Sequence, residues 1–223
     1  WQRIAKLRYD VFAEELQQYP INSEKQLDEP GQHFVTLSNE SDLIGYVSIN
    51  SPNNRKFRME KYFGKEVLEE ITTNLTDNAV IHEVRGLTIS PDYRNEGFAR
   101  ILMMAALKFC YENSANHIVA MGHTEVLPMY RGIGMHVFEN YNITAGNVVF
   151  YPMIADVDQL MAVAGDAINE LHMQHLVEHD DACYHGGASW DESGFDFGRR
   201  KELIVADVLD SPFPPCPEVM QSI

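Results

Sequence analysis

A strand pattern, a short turn and a helix pattern follow one another in residues 79–114, and this unit constrains the fold more than any other stretch. The run "AVIHEVRGLTI" (79–89) has the apolar and β-branched residues of a strand, with Gly86 inside it as a candidate bulge. The turn "SPDYRNEG" ends on Gly97, and "FARILMMAALKFCYENS" (98–114) then repeats apolar residues at helical spacing. A strand that leads directly into a helix is typical of α/β proteins, so we expect an α/β fold.

The turn before that helix is suited to binding an anion. The first backbone N–H groups of a helix have no intrahelical partner, and the aligned peptide dipoles concentrate positive charge there. Gly97 lets the backbone approach a ligand closely, while Arg94 and Arg100 add guanidinium groups that can bind phosphate oxygens. The pattern predicts a diphosphate site, although an ordinary loop with a solvated Arg94 would show the same residues.

The charge of the whole chain limits what else it can bind. Its 17 Lys+Arg stand against 33 Asp+Glu, a formal net charge of -16, so the overall field repels nucleic acid and anionic membranes. We expect neither as a partner, and any anion site must be local. No run of 18 apolar residues indicates a membrane span. Three widely spaced cysteines (Cys110, Cys183 and Cys216) favour a reducing, cytoplasmic setting.

Helix and strand patterns alternate along the rest of the chain. A first helix is predicted over 1–19, with one apolar face made by Ile4, Leu7, Val11, Phe12 and Leu16. The runs "HFVTLSN" and "LIGYVSIN" are predicted to pair as a hairpin. Further helices are predicted over 57–76 and 156–179, a short one at "LPMYRGIG", and strands over 117–122 and 147–156.

Two segments resemble the GNAT (GCN5-related N-acetyltransferase) superfamily. "LTISPDYRNEGFARILM" is similar to its acyl-CoA-binding segment, in which a strand and a proline precede Arg/Gln-x-x-Gly-x-Gly/Ala and a helix. "HTEVLPMYRGIGMHVF" is similar to a later stretch, with Tyr130, Gly134 and Met135 in the characteristic places, but has His123 where asparagine is usual. The resemblance implies acetyl-CoA or another acyl-CoA as cosubstrate and no metal. It places the pantetheine arm on Leu87, Thr88 and Ile89, and the pyrophosphate on Arg94, Asn95, Glu96, Gly97, Phe98, Ala99 and Arg100.

The same resemblance implies an architecture. We expect a GNAT fold, a central mixed, twisted β-sheet flanked by helices, with a C-terminal helical and linker extension. The acyltransferase domain is expected over 1–155, a C-terminal helix over 156–180, and an extended linker toward a further domain over 181–223.

N-acyl transfer needs a group that takes a proton from the amine and one that donates a proton to the departing thiolate. Tyr130 resembles the superfamily's general acid, although a half-buried core tyrosine would fit the pattern too. Glu83 takes the strand position of a catalytic carboxylate in many members, and the alternative is a salt bridge with Arg85 or across strands. In an unbroken strand Glu83 and Arg85 would lie on the same face as Leu87 and Ile89. A bulge near Gly86 could put them on the opposite face. His123 is the third catalytic candidate, and the alternative is a structural histidine.

The N-terminal segment resembles one branch of the superfamily, the N-acyl amino acid synthases and autoinducer synthases. "LRYDVFAEEL" and "LDEPGQHFVTL" carry that similarity. It implies that the acceptor is the amine of a small molecule such as an amino acid, with Arg8, His33 and Arg85 as substrate-binding residues. Three alternatives stay open: a first helix that only packs on the sheet, an acyl carrier protein as donor, and a catalytically inactive acyl-CoA sensor. A homodimer is also left open.

The tail does not fit the acyltransferase pattern. Residues 183–217 resemble the leader of a PLP-dependent aminotransferase domain, so we expect such a domain to be fused to this one in a longer protein. A zinc site is the rival interpretation of the preceding stretch, although the spacing of its residues matches no standard ligand motif: His172, His175, His179, Cys183 and His185.

Overall fold

From the first helix to the strand predicted over 147–156 the helices and strands appear in the predicted order, with the helix predicted over 57–76 divided into two and two short strands added before that last strand. A computed structural model describes residues 2–17, 32–39, 42–51, 57–169, 171, 173–177 and 202–207. The helices are α1 (Gln2–Arg8, continued by a π-helical segment, Tyr9–Glu15), α2 (Arg58–Phe63), α3 (Lys65–Thr72), α4 (Phe98–Glu112), α5 (Leu127–Gly132) and α6 (Val157–Asn169). The strands are β1 (Gln32–Ser38), β2 (Leu43–Asn50), β3 (Ile81–Ile89), β4 (His117–His123), β5 (His136–Val137), β6 (Ile143–Ala145), β7 (Val148–Asp156), β8 (Met173–Val177) and β9 (Glu202–Asp207).

The strands form one mixed sheet. Its order is β5-β7-β4-β3-β2-β1-β9-β8, and β6 pairs with β7. The β1–β2, β2–β3 and β4–β7 pairs are antiparallel, whereas β3 and β4 are parallel because α4 connects them. The predicted α/β class and mixed sheet are therefore confirmed.

Apolar side chains alternate along the strands, and helices cover them on both faces of the sheet. On one face, α4 packs Leu102, Ala105 and Phe109 against Val35 and Val47. On the other face the apolar side of α1 covers β1 and β2, and α2 and α3 cover β4; the buried residues there are Ile4, Leu7, Val11, Phe34, Tyr46, Met59, Ile71 and Val119. Each large side chain buried in this way contributes about 1.5–3 kcal/mol, so the sheet and its two layers stabilise one another.

A β-bulge interrupts β3 at Gly86, as predicted. Tyr46 pairs with Thr88 and Ser48 pairs with Arg85, so β3 has one residue more than β2 between these pairs. Gly86 takes φ +63, a left-handed conformation that glycine adopts at low cost.

The bulge changes which side chains share a face. Val84 and Leu87 both pack against the core under α4, although three positions separate them. Glu83 therefore lies on the opposite face from Leu87, where an unbroken strand would have put the two together.

The predicted long helix over 156–179 is too long. Helix α6 ends at Asn169, and Met173–Val177 forms a strand that pairs with Glu202–Asp207, which lies beside β1. The end of α6 is held by Lys108, whose Nζ donates to the Leu171 carbonyl at 2.7 Å. The linker predicted over 181–223 thus contributes at least one strand to the sheet.

This correction removes the helical face proposed for zinc, because His175 lies in β8 and not in a helix. The rest of that candidate set, His172, His179, Cys183 and His185, lies outside the described residues, as does the aminotransferase-like segment apart from β9. Of the helices that the structure describes, none combines the length and the apolar composition needed to cross a bilayer.

Candidate active site

Strands β3 and β4 part from each other halfway along their length. Their parallel pairing runs from Ile81 and His117 to Val84 and Ala120 and then stops. Both strands nevertheless continue, to Ile89 and to His123. The diverging strands open a groove in the middle of the sheet.

The three residues predicted to hold the pantetheine arm lie along this groove. The edge of β3 that faces away from the groove stays paired with β2, with Thr88 opposite Tyr46 and Ile89 opposite Gly45. The edge of Leu87, Thr88 and Ile89 that faces β4 is not paired with β4, so its backbone groups can hydrogen-bond a ligand.

Helix α4 begins beside the end of β3. Gly97 is its N-cap at φ +85, and a Cβ at that position would meet nothing within 4 Å, so the surface there is open. The Gly97 carbonyl accepts from the amides of Arg100 and Ile101 at 3.0 and 3.4 Å. The amides of Phe98 and Ala99 come earlier in the helix and have no acceptor within it. This end of α4 therefore presents the donors that the sequence predicted for a diphosphate.

Arg94 lies next to that turn, but its guanidinium is engaged by a residue that sequence analysis missed. Nη1 and Nη2 donate to the two carboxylate oxygens of Glu15 at 2.6 and 2.7 Å, and Nε donates to the Ile89 carbonyl at 3.3 Å. These hydrogen bonds lower the pKa of the Glu15 carboxyl. The other polar residues of the predicted loop, Asn95, Glu96 and Arg100, are exposed.

Tyr130 stands on α5 against the diverging part of β4. A Cβ placed at Gly122 would lie 3.1 Å from Tyr130 Cδ2, so the ring approaches the strand where there is no side chain. The ring packs against the core under α4, and burial raises the pKa of Tyr130 to about 12. Its phenol therefore keeps its proton at neutral pH.

His123 ends β4 on the opposite face from Tyr130. It pairs with Phe150 of β7, and the two rings lie edge to face at 6.2 Å. Burial lowers the pKa of His123, an effect that the charge of Glu125 partly offsets. The imidazole is therefore neutral at pH 7 and can accept a proton. The two catalytic candidates, His123 and Tyr130, therefore lie on opposite sides of the groove.

Glu83 is buried, with 1% of its surface exposed, and both carboxylate oxygens are engaged. Oε1 accepts from the Met59 amide at 2.7 Å, and Oε2 accepts from the Arg58 amide at 2.8 Å and from Asn50 Nδ2 at 2.7 Å. The two amides begin α2, so Glu83 caps that helix and fixes it to the sheet.

A cleft lies on the same face as Glu83, and three arginines line it. They are Arg8 from α1, Arg58 from α2 and Arg85 from β3, and we call this region the arginine cleft. Aromatic side chains complete the wall, among them Phe12, Phe34, Tyr46 and Phe150. The structure thus brings together Arg8 and Arg85, two of the predicted substrate-binding residues.

The sequence patterns did not identify the third arginine, Arg58. It lies in the cleft because of where α2 packs, and Glu83 holds the start of that helix on the sheet. The third predicted substrate-binding residue, His33, lies elsewhere. Its ring packs on Phe109 of α4 at 4.9 Å, on the face of the sheet away from the cleft. Strand alternation explains this, since its neighbour Phe34 is the residue that lines the cleft.

The β6–β7 hairpin, which the sequence patterns did not predict in full, closes one end of the cleft. Ile143 and Ala145 of β6 line it. At the turn, a Cβ on Gly146 would lie 2.3 Å from the Leu16 carbonyl oxygen, so only glycine permits this approach to the end of the N-terminal segment.

Solved structures with the same fold include two kinds of synthase. BjaI, a CoA-dependent acyl-homoserine lactone synthase solved with SAM and isopentyl-CoA, is 18% identical at a TM-score of 0.58, covering 75% of this chain and 81% of that one. FeeM, an N-acyl amino acid synthase from uncultured soil microbes, is 16% identical at 0.55, covering 72% and 91%. An acyl-CoA N-acyltransferase from Pseudomonas aeruginosa is 13% identical at 0.52, covering 69% and 88%.

No curated protein sequence matches the chain well enough to count as a relative. The family model for the acetyltransferase (GNAT) family, in contrast, matches residues 1–135, which include the groove, the start of α4 and Tyr130. This chain therefore belongs to the acetyltransferase (GNAT) family, as its two sequence motifs predicted.

Proposed function

We propose that this protein transfers an acyl group from acyl-CoA to the primary amine of a small metabolite that carries a carboxylate, such as an amino acid. The observation that carries the proposal is the parting of β3 and β4 beyond Val84 and Ala120. It opens a groove between the start of α4 on one side and the arginine cleft on the other. A donor and an acceptor can therefore meet from opposite faces of the sheet.

The donor would occupy the groove and the start of α4. The amides of Phe98 and Ala99 and the charge of Arg100 suit a diphosphate, and the unpaired edge of β3 suits the amide groups of a pantetheine arm. The chain has a net charge of -16, so this local set of donors is what would overcome the general repulsion of an anion.

The acceptor would occupy the arginine cleft. Guanidinium groups bind carboxylates in two-point geometry, and Arg8, Arg58 and Arg85 supply three of them next to aromatic walls. The fold shared with FeeM, an N-acyl amino acid synthase, supports an acceptor of this class.

The chemistry assigned to this chain is a direct attack through a tetrahedral intermediate. His123, neutral at pH 7, takes a proton from the acceptor's ammonium directly or through water, which frees the lone pair of the amine that then attacks. The new C–N bond forms at the acyl carbon, the C–S bond then breaks, and Tyr130 donates a hydrogen bond to the departing sulfur. His123 and Tyr130 lie on opposite faces of the sheet, so the base and the hydrogen-bond donor to sulfur can reach the acyl carbon's substituents from different sides.

The pKa of Tyr130 restricts its role. A thiol titrates near pH 8.5, so full transfer of the phenol proton from a group with a pKa of about 12 would cost about 5 kcal/mol. Tyr130 therefore acts mainly as a hydrogen-bond donor to the developing thiolate, and the net proton that the thiolate keeps comes from the acceptor amine.

A catalytically inactive acyl-CoA sensor is the second candidate. The observation that favours it is the state of Glu83, whose carboxylate is buried and already accepts three hydrogen bonds as the cap of α2, so it is poorly placed to meet an incoming amine. If His123 does not take that role, the groove would bind a donor that it cannot turn over.

The test is thiol release from acetyl-CoA and longer acyl-CoAs with a panel of amino acids, with products identified by mass spectrometry. Turnover that falls at least about 100-fold in Tyr130→Phe, but not in the matched control at exposed Tyr111, would support the enzyme. Tight CoA binding without turnover on any amine would favour the sensor. Turnover only with acylated carrier protein would show that the donor is an acyl carrier protein and not acyl-CoA.

A further inference from the structure

The ion pair between Arg94 and Glu15 joins two parts of the chain with different roles. Arg94 belongs to the turn before α4, and Glu15 ends the π-helical segment that follows α1. The pair is bidentate, with Nη1 donating to Oε1 and Nη2 donating to Oε2, and this is the geometry in which a guanidinium also binds phosphate.

The pair is open to solvent. The side chains of Arg94 and Glu15 are 37% and 42% exposed, so an anion can reach the guanidinium without moving the core. Nε of Arg94 donates to the Ile89 carbonyl, which keeps the guanidinium at the mouth of the groove whether or not Glu15 is bound.

We propose that Glu15 is an internal competitor for the donor: its carboxylate occupies the guanidinium of Arg94, and the diphosphate of acyl-CoA must displace it. This rests on the donor site proposed above. Glu15 thus weakens donor binding, because its carboxylate has to leave Arg94 before a diphosphate can use the same N–H donors.

The sign of the effect follows from charge. With Glu15 in place, the pair is neutral and a second anion meets both the occupied Nη donors and a nearby negative charge. Removing that charge leaves a full positive charge beside the α4 amides. Exposed ion pairs are weak, so the gain is modest, and we expect about two- to fivefold tighter CoA binding.

The segment that carries Glu15 also contacts the acceptor side. Phe12 lies three residues earlier in the same segment and lines the arginine cleft. The same segment therefore contributes Glu15 to the donor side and Phe12 to the acceptor wall.

The experiment compares CoA affinity by titration calorimetry in the wild type, Glu15→Gln and Glu14→Gln. Glu14 is the adjacent exposed glutamate, so its variant removes the same charge without touching the pair. We expect Glu15→Gln to bind two- to fivefold tighter, with KM for the donor lowered by the same factor and kcat unchanged, and Glu14→Gln to change less than about twofold. In an Arg94→Ala background, Glu15→Gln should change the affinity by less than about twofold, as Glu14→Gln does in the wild type.

A weaker or unchanged affinity in Glu15→Gln, with normal binding by the wild type, would overturn the competitor role and leave the donor site standing. No CoA binding by any of the three proteins would overturn both. If Glu15→Gln does not fold, Glu15→Ala serves instead, because it also removes the carboxylate that pairs with Arg94 and should also tighten binding.

Discussion

The ring of Tyr130 lies against the backbone of β4 at Gly122, where a Cβ would be 3.1 Å from Tyr130 Cδ2 and 2.9 Å from Met153 Cε. The missing side chain thus sets how close the phenol comes to the groove. Met153 is fully buried and cannot move away freely.

Gly122→Ala should therefore displace the phenol. We expect kcat to fall at least about tenfold, because a shift of about 1 Å at a reacting group is costly, while KM for the acceptor changes little. Steady-state kinetics check this. Gly165→Ala is the matched control, since a Cβ there meets only Met161 Cε at 3.9 Å. Equal activity of the two variants would show that Tyr130 is not positioned by Gly122.

Glu83→Gln should weaken the fold more than the chemistry. A glutamine keeps one acceptor oxygen but turns its NH2 group toward the backbone amide of either Arg58 or Met59, so a donor then faces a donor. We expect a loss of about 1–3 kcal/mol in the free energy of unfolding, measured by denaturant titration. Glu69→Gln, in an exposed pair with Lys65, should change it by less than about 1 kcal/mol. An unchanged stability together with lost turnover would instead identify Glu83 as the base.

The pH dependence of turnover should report His123. Burial lowers its pKa, so the imidazole stays neutral and able to accept a proton to lower pH than an ordinary histidine. We expect kcat/KM to fall as pH drops, with an inflection below about 6.5. In His123→Gln this inflection should disappear along with most of the rate. If the variant kept the same inflection, another group would be the base.

A buried histidine makes stability depend on pH. His82 is 2% exposed, its Nδ1 has no hydrogen-bond partner among the described residues, and its pKa is lowered to about 4, mainly by burial and then by the charge of His33. In the unfolded chain it titrates near pH 6.5. Below that pH the unfolded state takes up the proton and the folded state does not, so stability is lost as pH falls from about 6.5 to about 4.

This loss of stability amounts to at most about 3–4 kcal/mol. Thermal unfolding between pH 7.5 and pH 4.5 should show a smaller acid-induced decrease in Tm for His82→Gln than for the wild type. His136→Gln, at an exposed position, should keep the wild-type slope. If the slope in His82→Gln matches the wild type, the acid sensitivity comes from other groups.

Much of the candidate site was predictable from local pattern. The turn from Arg94 to Gly97 and the position of Tyr130 were identified because backbone conformation and helix termini depend on a few neighbouring residues. The positive φ of Gly97 and the bulge at Gly86 are both conformations that glycine marks in a sequence. The end of α6 was missed because its limit is a contact with Lys108, sixty positions away from Ile168.

The amino-acid sequence alone determined most of the helices and strands, the α/β class and the family, because hydrophobic periodicity and turn chemistry depend on neighbouring residues. Tertiary structure decided the partners of the charged groups. It gave Arg94 a carboxylate from Glu15, seventy-nine positions away, and turned Glu83 into the cap of α2. It also assembled three arginines from three elements into one cleft. Hydrogen bonds and ion pairs act over a few ångströms, so which groups they join depends on how the layers pack and not on spacing along the sequence.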